Sequence, residues 1–196
     1  MSEIATVVDE KRRSFWKPVV ALVGVMWVVE ILDLVLPGVW NEHGIVSRDL
    51  SGLLGIPLAP FLHDGLGHLV ANTVPFLVLG LLVSWRAGRT FWPVLLTIVV
   101  ASGLGVWLVG ASGAVTVGAS GVVFGFLTYL IVAGVVTKHF LDVLIGVLVL
   151  LVFGSLLWGV LPFVGPAQVS WQAHLFGALG GVLAALLFAV RPSRTT

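Results

Sequence analysis

The chain has 196 residues, 59% of them hydrophobic and 10% charged, with a mean hydropathy of +1.14. Soluble domains carry about 25% charged residues, so this composition excludes a soluble globular protein and points to an integral membrane protein. A net charge of +1 says nothing about nucleic acid, but no basic blocks are interleaved with aromatics, which argues against nucleic acid as a partner; the absence of cysteine excludes disulfides, thiolate catalysis and cysteine metal sites, and leaves the redox compartment open.

Residues 1–17 are polar and carry Lys11, Arg12, Arg13 and Lys17, while Glu3, Asp9 and Glu10 argue against a mitochondrial transit peptide. The first apolar run, about Pro18–Leu36, is too long for the core of a signal peptide and lacks an A-x-A exit, so it reads as a retained span. Five further runs follow at about 66–84, 91–110, 119–137, 140–161 and 171–190. Each is long enough for ~30 Å of helix. Backbone polar groups in lipid must be satisfied within the segment, so these are helices. The expected architecture is an all-α membrane protein, a six-transmembrane-helix bundle over residues 18–190. It is flanked by a short segment, 1–17, and a tail, 191–196.

Basic residues set the expected topology. Lys11, Arg12, Arg13, Lys17, Arg86, Arg89, Lys138, Arg191 and Arg194 fall on one side of the bundle, and only Arg48 on the other. Both termini are therefore expected to be cytoplasmic, and helices two, four and six to start at the outer face. The long connection Pro37–Gly65 is then outside. Trp40, Leu50, Leu53, Leu54, Ile56, Leu58, Phe61 and Leu62 make it read as an interfacial element packed on the bundle; the alternative is an ordinary solvated loop.

Polar side chains at membrane depth are costly, so each needs a reason. His68 and Asn72 lie four apart on one face of helix two, near its start. Alone, such a pair serves equally well to hydrogen-bond one helix to another. Ser120 opens helix four between Gly118 and Gly121. A lone serine in a membrane helix usually bonds back to a carbonyl one turn earlier, but at a helix start the N–H groups are free. His174 lies in the first turn of helix six, where a ligand, a proton relay or a structural hydrogen bond are all open readings. Together, His68, Asn72, Ser120 and His174 share one membrane face and depth. Gly118, Gly121 and Gly125 form a small face on helix four, and Gly177, Ala178 and Gly181 form another beside His174 on helix six. Small faces let helices approach closely, which would bring Ser120 to His174. Glu30 and Asp33 in helix one are expected near the outer interface, bonded to the long loop, with no catalytic role.

These motifs resemble those of the rhomboid family of intramembrane serine proteases. Gly118-Ala119-Ser120-Gly121 is similar to the family's G-x-S-G nucleophile motif, and Ala173-His174 with Gly177 and Gly181 to its A-H-x-x-G-x-x-x-G pattern. His63, His68 and Asn72 fit its H-x-x-x-x-H-x-x-x-N spacing. The resemblance implies Ser120 as nucleophile and His174 as general base and then acid. It also implies an oxyanion hole from His68, Asn72 and the Ser120 N–H, with His63 as an accessory position. Phe124 stands where the family often has a tyrosine stacked on the catalytic histidine, so stacking is kept and a hydroxyl is lost. Helices four and six contain no Asp or Glu, so a Ser–His dyad is expected rather than a triad.

No cofactor and no metal are implied. The implied partners are the lipid bilayer and transmembrane protein substrates with helix-weakening residues near the outer face. Helix five, with the loop 161–170, is expected to act as a lateral gate and cap. The lack of a transit peptide and the minimal six-helix form lead to an expected prokaryotic plasma membrane. The small-residue faces are used inside the bundle and carry no signal for an oligomer. Two rival readings are a rhomboid-like pseudoenzyme that binds membrane clients, and a small proton-coupled transporter using Glu30, His68 and His174. Retention of both Ser120 and His174 opposes the first. Inverted repeats and broken helices, the marks of the second, are not evident in the sequence.

Overall fold

The computed structural model describes residues 14–36, 40–162, 164 and 169–189. The basic positions 11–13, 191 and 194, most of the segment 1–17, the whole tail 191–196 and half of the loop 161–170 lie outside the described residues.

Six long helices follow the six apolar runs. They are α1 (Trp16–Val35), α2 (Leu66–Ala87), α3 (Phe91–Val109), α4 (Ser120–Thr137), α5 (Phe140–Phe153) and α6 (Trp171–Phe188). By length and composition, α1, α4, α6 and the stretch Phe140–Val160 are each apolar enough to cross a membrane, as is Leu66–Val109, which holds both α2 and α3. This is an all-α, multi-pass membrane fold, and association with the lipid bilayer follows from it.

The centre of the bundle is α4. Of its span 61% is buried inside the protein, against 22% for α1 and 11% for Phe140–Val160. Its sequence explains the place: Val122, Val123, Phe124, Phe126, Leu127, Tyr129 and Leu130 are buried and lie all round the helix. It packs on α2, α5 and α6, and α6 in turn packs on α3. The α4–α6 contact is made through glycine. A Cβ on Gly177 would strike the carbonyl oxygen of Gly121, and one on Gly181 that of Gly125. Backbone therefore lies on backbone along two turns, as the small faces predict.

Helix five differs from the expected single helix over 140–161. The α-helix ends at Phe153 and the chain continues as a 3₁₀ segment, Gly154–Val160. The apolar run continues unbroken across the junction, but Gly154, Ser155 and Gly159 lower α-helix propensity there. At Gly154, φ −61° and ψ −25° are already 3₁₀-like.

The connection between α1 and α2 is folded onto the bundle rather than solvated throughout. Its strand β1 (Ile45–Val46) pairs antiparallel with β2 (Val115–Thr116), in the register Ile45 with Thr116 and Val46 with Val115. That ladder ties the connection to the segment leading into Ser120. Ile45, Ile56, Ala59 and Leu62 are buried, while Leu50 and Leu54 point outward.

Glu30 is buried in the bundle. It continues the buried stripe Val19, Val23 and Met26 along α1 and is only 2% exposed. Its Oε2 and the Oδ1 of Asp33 are buried without a hydrogen-bond partner among the described residues, so the expected bonds to the long loop are not seen. Helical periodicity carries Glu30 inward, toward α2, because it falls on the same face as the apolar stripe.

Candidate active site

Three helix starts meet at one end of the bundle. Ser120 is the first residue of α4, His174 lies in the first turn of α6, and His68 and Asn72 lie in the first two turns of α2. The start of α6 is capped by Ser170, whose Oγ accepts from the Ala173 N–H at 3.2 Å.

The two groups on α4 and α6 touch. His174 Nε2 lies 3.0 Å from Ser120 Oγ, and His174 Nδ1 lies 3.0 Å from the carbonyl oxygen of Gly159. A carbonyl can only accept, so Nδ1 must carry the ring proton. Nε2 is then left with its lone pair, facing the serine hydroxyl, which donates to it. Phe124 lies flat against the imidazole, with ring centroids 4.0 Å apart and planes 8° from parallel. The imidazole is thus fixed in its plane by a ring and about its axis by a carbonyl, without a carboxylate.

Gly118 does not lie on the α4 face shared by Gly121 and Gly125, as spacing alone predicts. It precedes the helix, with φ +115°, a conformation that favours glycine. A Cβ there would sit 2.8 Å from both Cε1 and Nε2 of His68. Its N–H donates to the Ala59 carbonyl at 2.8 Å, which anchors the turn to the long connection. The reason for the difference is that i, i+3 spacing defines a face only once the helix has begun.

The bare side of Gly118 is where donors gather. The Asp64 N–H donates to His68 Nδ1 at 3.3 Å, so the proton of a neutral His68 is on Nε2, directed at Gly118. Asn72 Nδ2 donates to the His68 carbonyl at 3.0 Å and lies 3.9 Å from the position a Gly118 Cβ would take. Its second N–H is not used by that bond. The Ala119 carbonyl accepts from Val122 and Val123, and the N–H groups of Ser120 and Gly121 have no backbone partner among the described residues.

His63 is 1% exposed and meets His68 edge to face, with centroids 5.2 Å apart. Among the described residues, neither of its ring nitrogens has a well-aligned hydrogen bond. Burial first, and then the charge of His68, push its pKa down to about 4, against the pull of the Phe61 carbonyl. His63 therefore stays neutral in the folded protein. Between the ordinary histidine value near 6.5 and about 4, an unfolded chain binds a proton that the folded one refuses. Stability is therefore full above about pH 7 and is lost as pH falls through this window. The melting temperature of the wild type in detergent is expected to fall toward pH 4 more steeply than that of His63→Phe. Parallel curves would reject the assignment.

Among the described residues, no group of three or more His, Asp or Glu side chains is arranged to hold a metal ion. Two members of the site escaped sequence reading, Gly159 and the Asp64 N–H. Both act through backbone atoms, which leave no side-chain pattern to find.

The rhomboid domain family matches the chain over residues 50–191. The chain belongs to the rhomboid family, whose members are generally intramembrane serine proteases, although some are inactive. Two mycobacterial proteins are similar over most of their length. Uncharacterized protein Rv1337 of Mycobacterium tuberculosis (strain H37Rv) is 38% identical over 175 residues, covering 86% of this chain and 73% of that protein. Uncharacterized protein ML1171 of Mycobacterium leprae (strain TN) is 36% identical over 198 residues, covering 96% of this chain and 78% of that protein.

Proposed function

We propose that this chain is an intramembrane serine endopeptidase that cuts transmembrane segments of other membrane proteins with a Ser120–His174 dyad. The observation that carries the reading is the 3.0 Å contact between Ser120 Oγ and His174 Nε2. Ser120 Oγ attacks the scissile carbonyl carbon while its proton passes to His174 Nε2. The carbonyl oxygen takes up the negative charge beside Gly118, facing His68 Nε2–H, Asn72 Nδ2–H and the Ser120 N–H. Collapse of the tetrahedral species breaks the C–N bond, and His174 returns its proton to the leaving amine. Water then attacks the acyl-serine, giving its proton to His174 Nε2; the acyl C–Oγ bond breaks, and His174 returns the proton to Ser120 Oγ, releasing the carboxylic acid. Ser102, Gly118, Gly121 and Ala173 are among the residues lining a cavity of about 20 Å³ beside the nucleophile. One water needs roughly 10–15 Å³.

The distribution of basic residues supports cytoplasmic termini and a site opening to the outer face of the plasma membrane. The exposed Leu50 and Leu54 support immersion of the α1–α2 connection in the headgroup region. A substrate helix must unwind locally before attack, because helical carbonyls are hydrogen-bonded. Helix-weakening residues near the outer face are therefore the expected sequence preference.

The direct test is labelling of the purified protein, reconstituted in liposomes, with a fluorophosphonate. A covalent adduct mapped to Ser120 is expected; no adduct, with no cleavage of any transmembrane reporter, would reject the reading. Loss of an oxyanion donor typically costs ~3–4 kcal/mol of transition-state stabilisation. Asn72→Ala is accordingly expected to lower kcat by about 10²–10³-fold. A kcat within a few-fold of wild type would remove Asn72 from the oxyanion hole.

A further inference from the structure

The base needs a group that holds its Nδ1 proton, and here that group is a backbone carbonyl at the far end of a peripheral helix. The 3₁₀ segment Gly154–Val160 ends the α5 span. The last carbonyls of a helix have no partner within it. Leu161 N–H takes up that of Trp158, and the Gly159 carbonyl is left to accept from His174 at 3.0 Å. A side chain at residue 159 would also crowd the pair. A Cβ there would lie 3.0 Å from His174 Nδ1 and 3.0 Å from Phe124 Cζ, against both partners of the stack. Among the described residues this is the one hydrogen bond from Gly154–Val160 to α6.

We propose that Gly159 is the positioning residue of the dyad. Its carbonyl, delivered by the 3₁₀ extension of α5, holds His174 in the Nδ1–H tautomer and steadies the imidazolium formed during proton transfer. The proposal rests on the protease reading above for its kinetic consequences, but its geometric core does not. A carbonyl here does the work that a carboxylate does in a triad, with one difference. It carries no net charge, so it orients the ring without placing an anion in a low-dielectric site.

The test weakens the carbonyl without changing a side chain near the dyad. Replacing Val160 with its α-hydroxy analogue converts the 159–160 peptide bond to an ester, whose carbonyl is a poorer acceptor. The same replacement at Trp158 is the control for loss of one backbone N–H in the 3₁₀ segment. In liposomes, the Val160 ester is expected to lower kcat by about tenfold with KM within twofold, and the control to stay near wild type. In ¹⁵N-histidine-labelled protein, the His174 signal is expected to move from the Nδ1–H pattern to a tautomer mixture in the Val160 ester only. Gly159→Ala is expected to lower kcat by at least tenfold at an unchanged melting temperature. A wild-type tautomer pattern in the Val160 ester overturns the proposal, whether kcat falls or not. So does equal loss of kcat in the control. The tautomer measurement needs no substrate, so a wild type that neither cleaves nor labels would reject the protease reading while leaving this test standing.

Discussion

Ser120→Ala and His174→Ala are each expected to lower cleavage of a transmembrane reporter in liposomes by about 10⁴-fold or more. The size follows from the two groups acting as one unit. Without Oγ there is nothing to form the acyl bond. Without Nε2 the hydroxyl loses the one base that contacts it among the described residues, and α4 and α6 contain no acid to replace it. The double variant is therefore expected to be no worse than either single one. Residual activity would come from the donors around Gly118, which neither substitution touches. The products should be identified by mass, so that a contaminating protease is not counted. Wild-type rates in Ser120→Ala would end the dyad mechanism. Wild-type rates in His174→Ala alone would require another base.

The second large effect lies at the opposite end of the bundle and concerns stability. Arg86, near the end of α2, and Asp142, in the first turn of α5, are both 9% exposed. Arg86 Nε approaches Asp142 Oδ1 at 2.5 Å, off the N–H axis, so the pair attracts as charges rather than through a straight hydrogen bond. An Arg86 terminal N–H donates to the Ala189 carbonyl at 3.0 Å, and Thr137 Oγ1 donates to Asp142 Oδ2 at 2.8 Å. Four helices, α2, α4, α5 and α6, are thus joined at one buried point. Removing one charge leaves the other uncompensated, which costs about 3–5 kcal/mol, whereas removing both is often nearly neutral. Arg86→Met is therefore expected to be strongly destabilised in detergent melting. Arg86→Met with Asp142→Leu is expected to recover most of the loss. A single variant as stable as wild type would show that the pair contributes little.

Much of this was legible because helices turn spacing into position. His68, Asn72, Ser120 and His174 fall at helix starts, and alternating spans place those starts at one depth, which the structure reproduces as a cluster. Gly121 and Gly125 opposite Gly177 and Gly181 were legible as facing surfaces for the same reason. The rule failed where the helix did. Gly118 lies two residues before Ser120, the first helical position, and it faces His68 instead of α6. The 3₁₀ segment was hidden because an apolar run looks the same in either helix type. The burial of Glu30 follows from its register with Val19, Val23 and Met26, which carries it inward. Gly159 and the Asp64 N–H were out of reach of any residue pattern, since any amino acid supplies a carbonyl and nearly any an N–H.

The Arg86–Asp142 junction and the Gly159 carbonyl sit at opposite ends of the same rod. From Asp142 to Gly159 the chain rises ~30 Å, part as α-helix and part as 3₁₀. A rod pinned at one end moves most at the other. A tilt of only about 5° displaces the far end by about 2.5 Å. That nearly equals the 3.0 Å length of the bond it would have to preserve. The orientation of the base is in this sense an angular measurement. A rotation too small to disturb the glycine contact between α4 and α6 is enough to uncouple His174 from its acceptor.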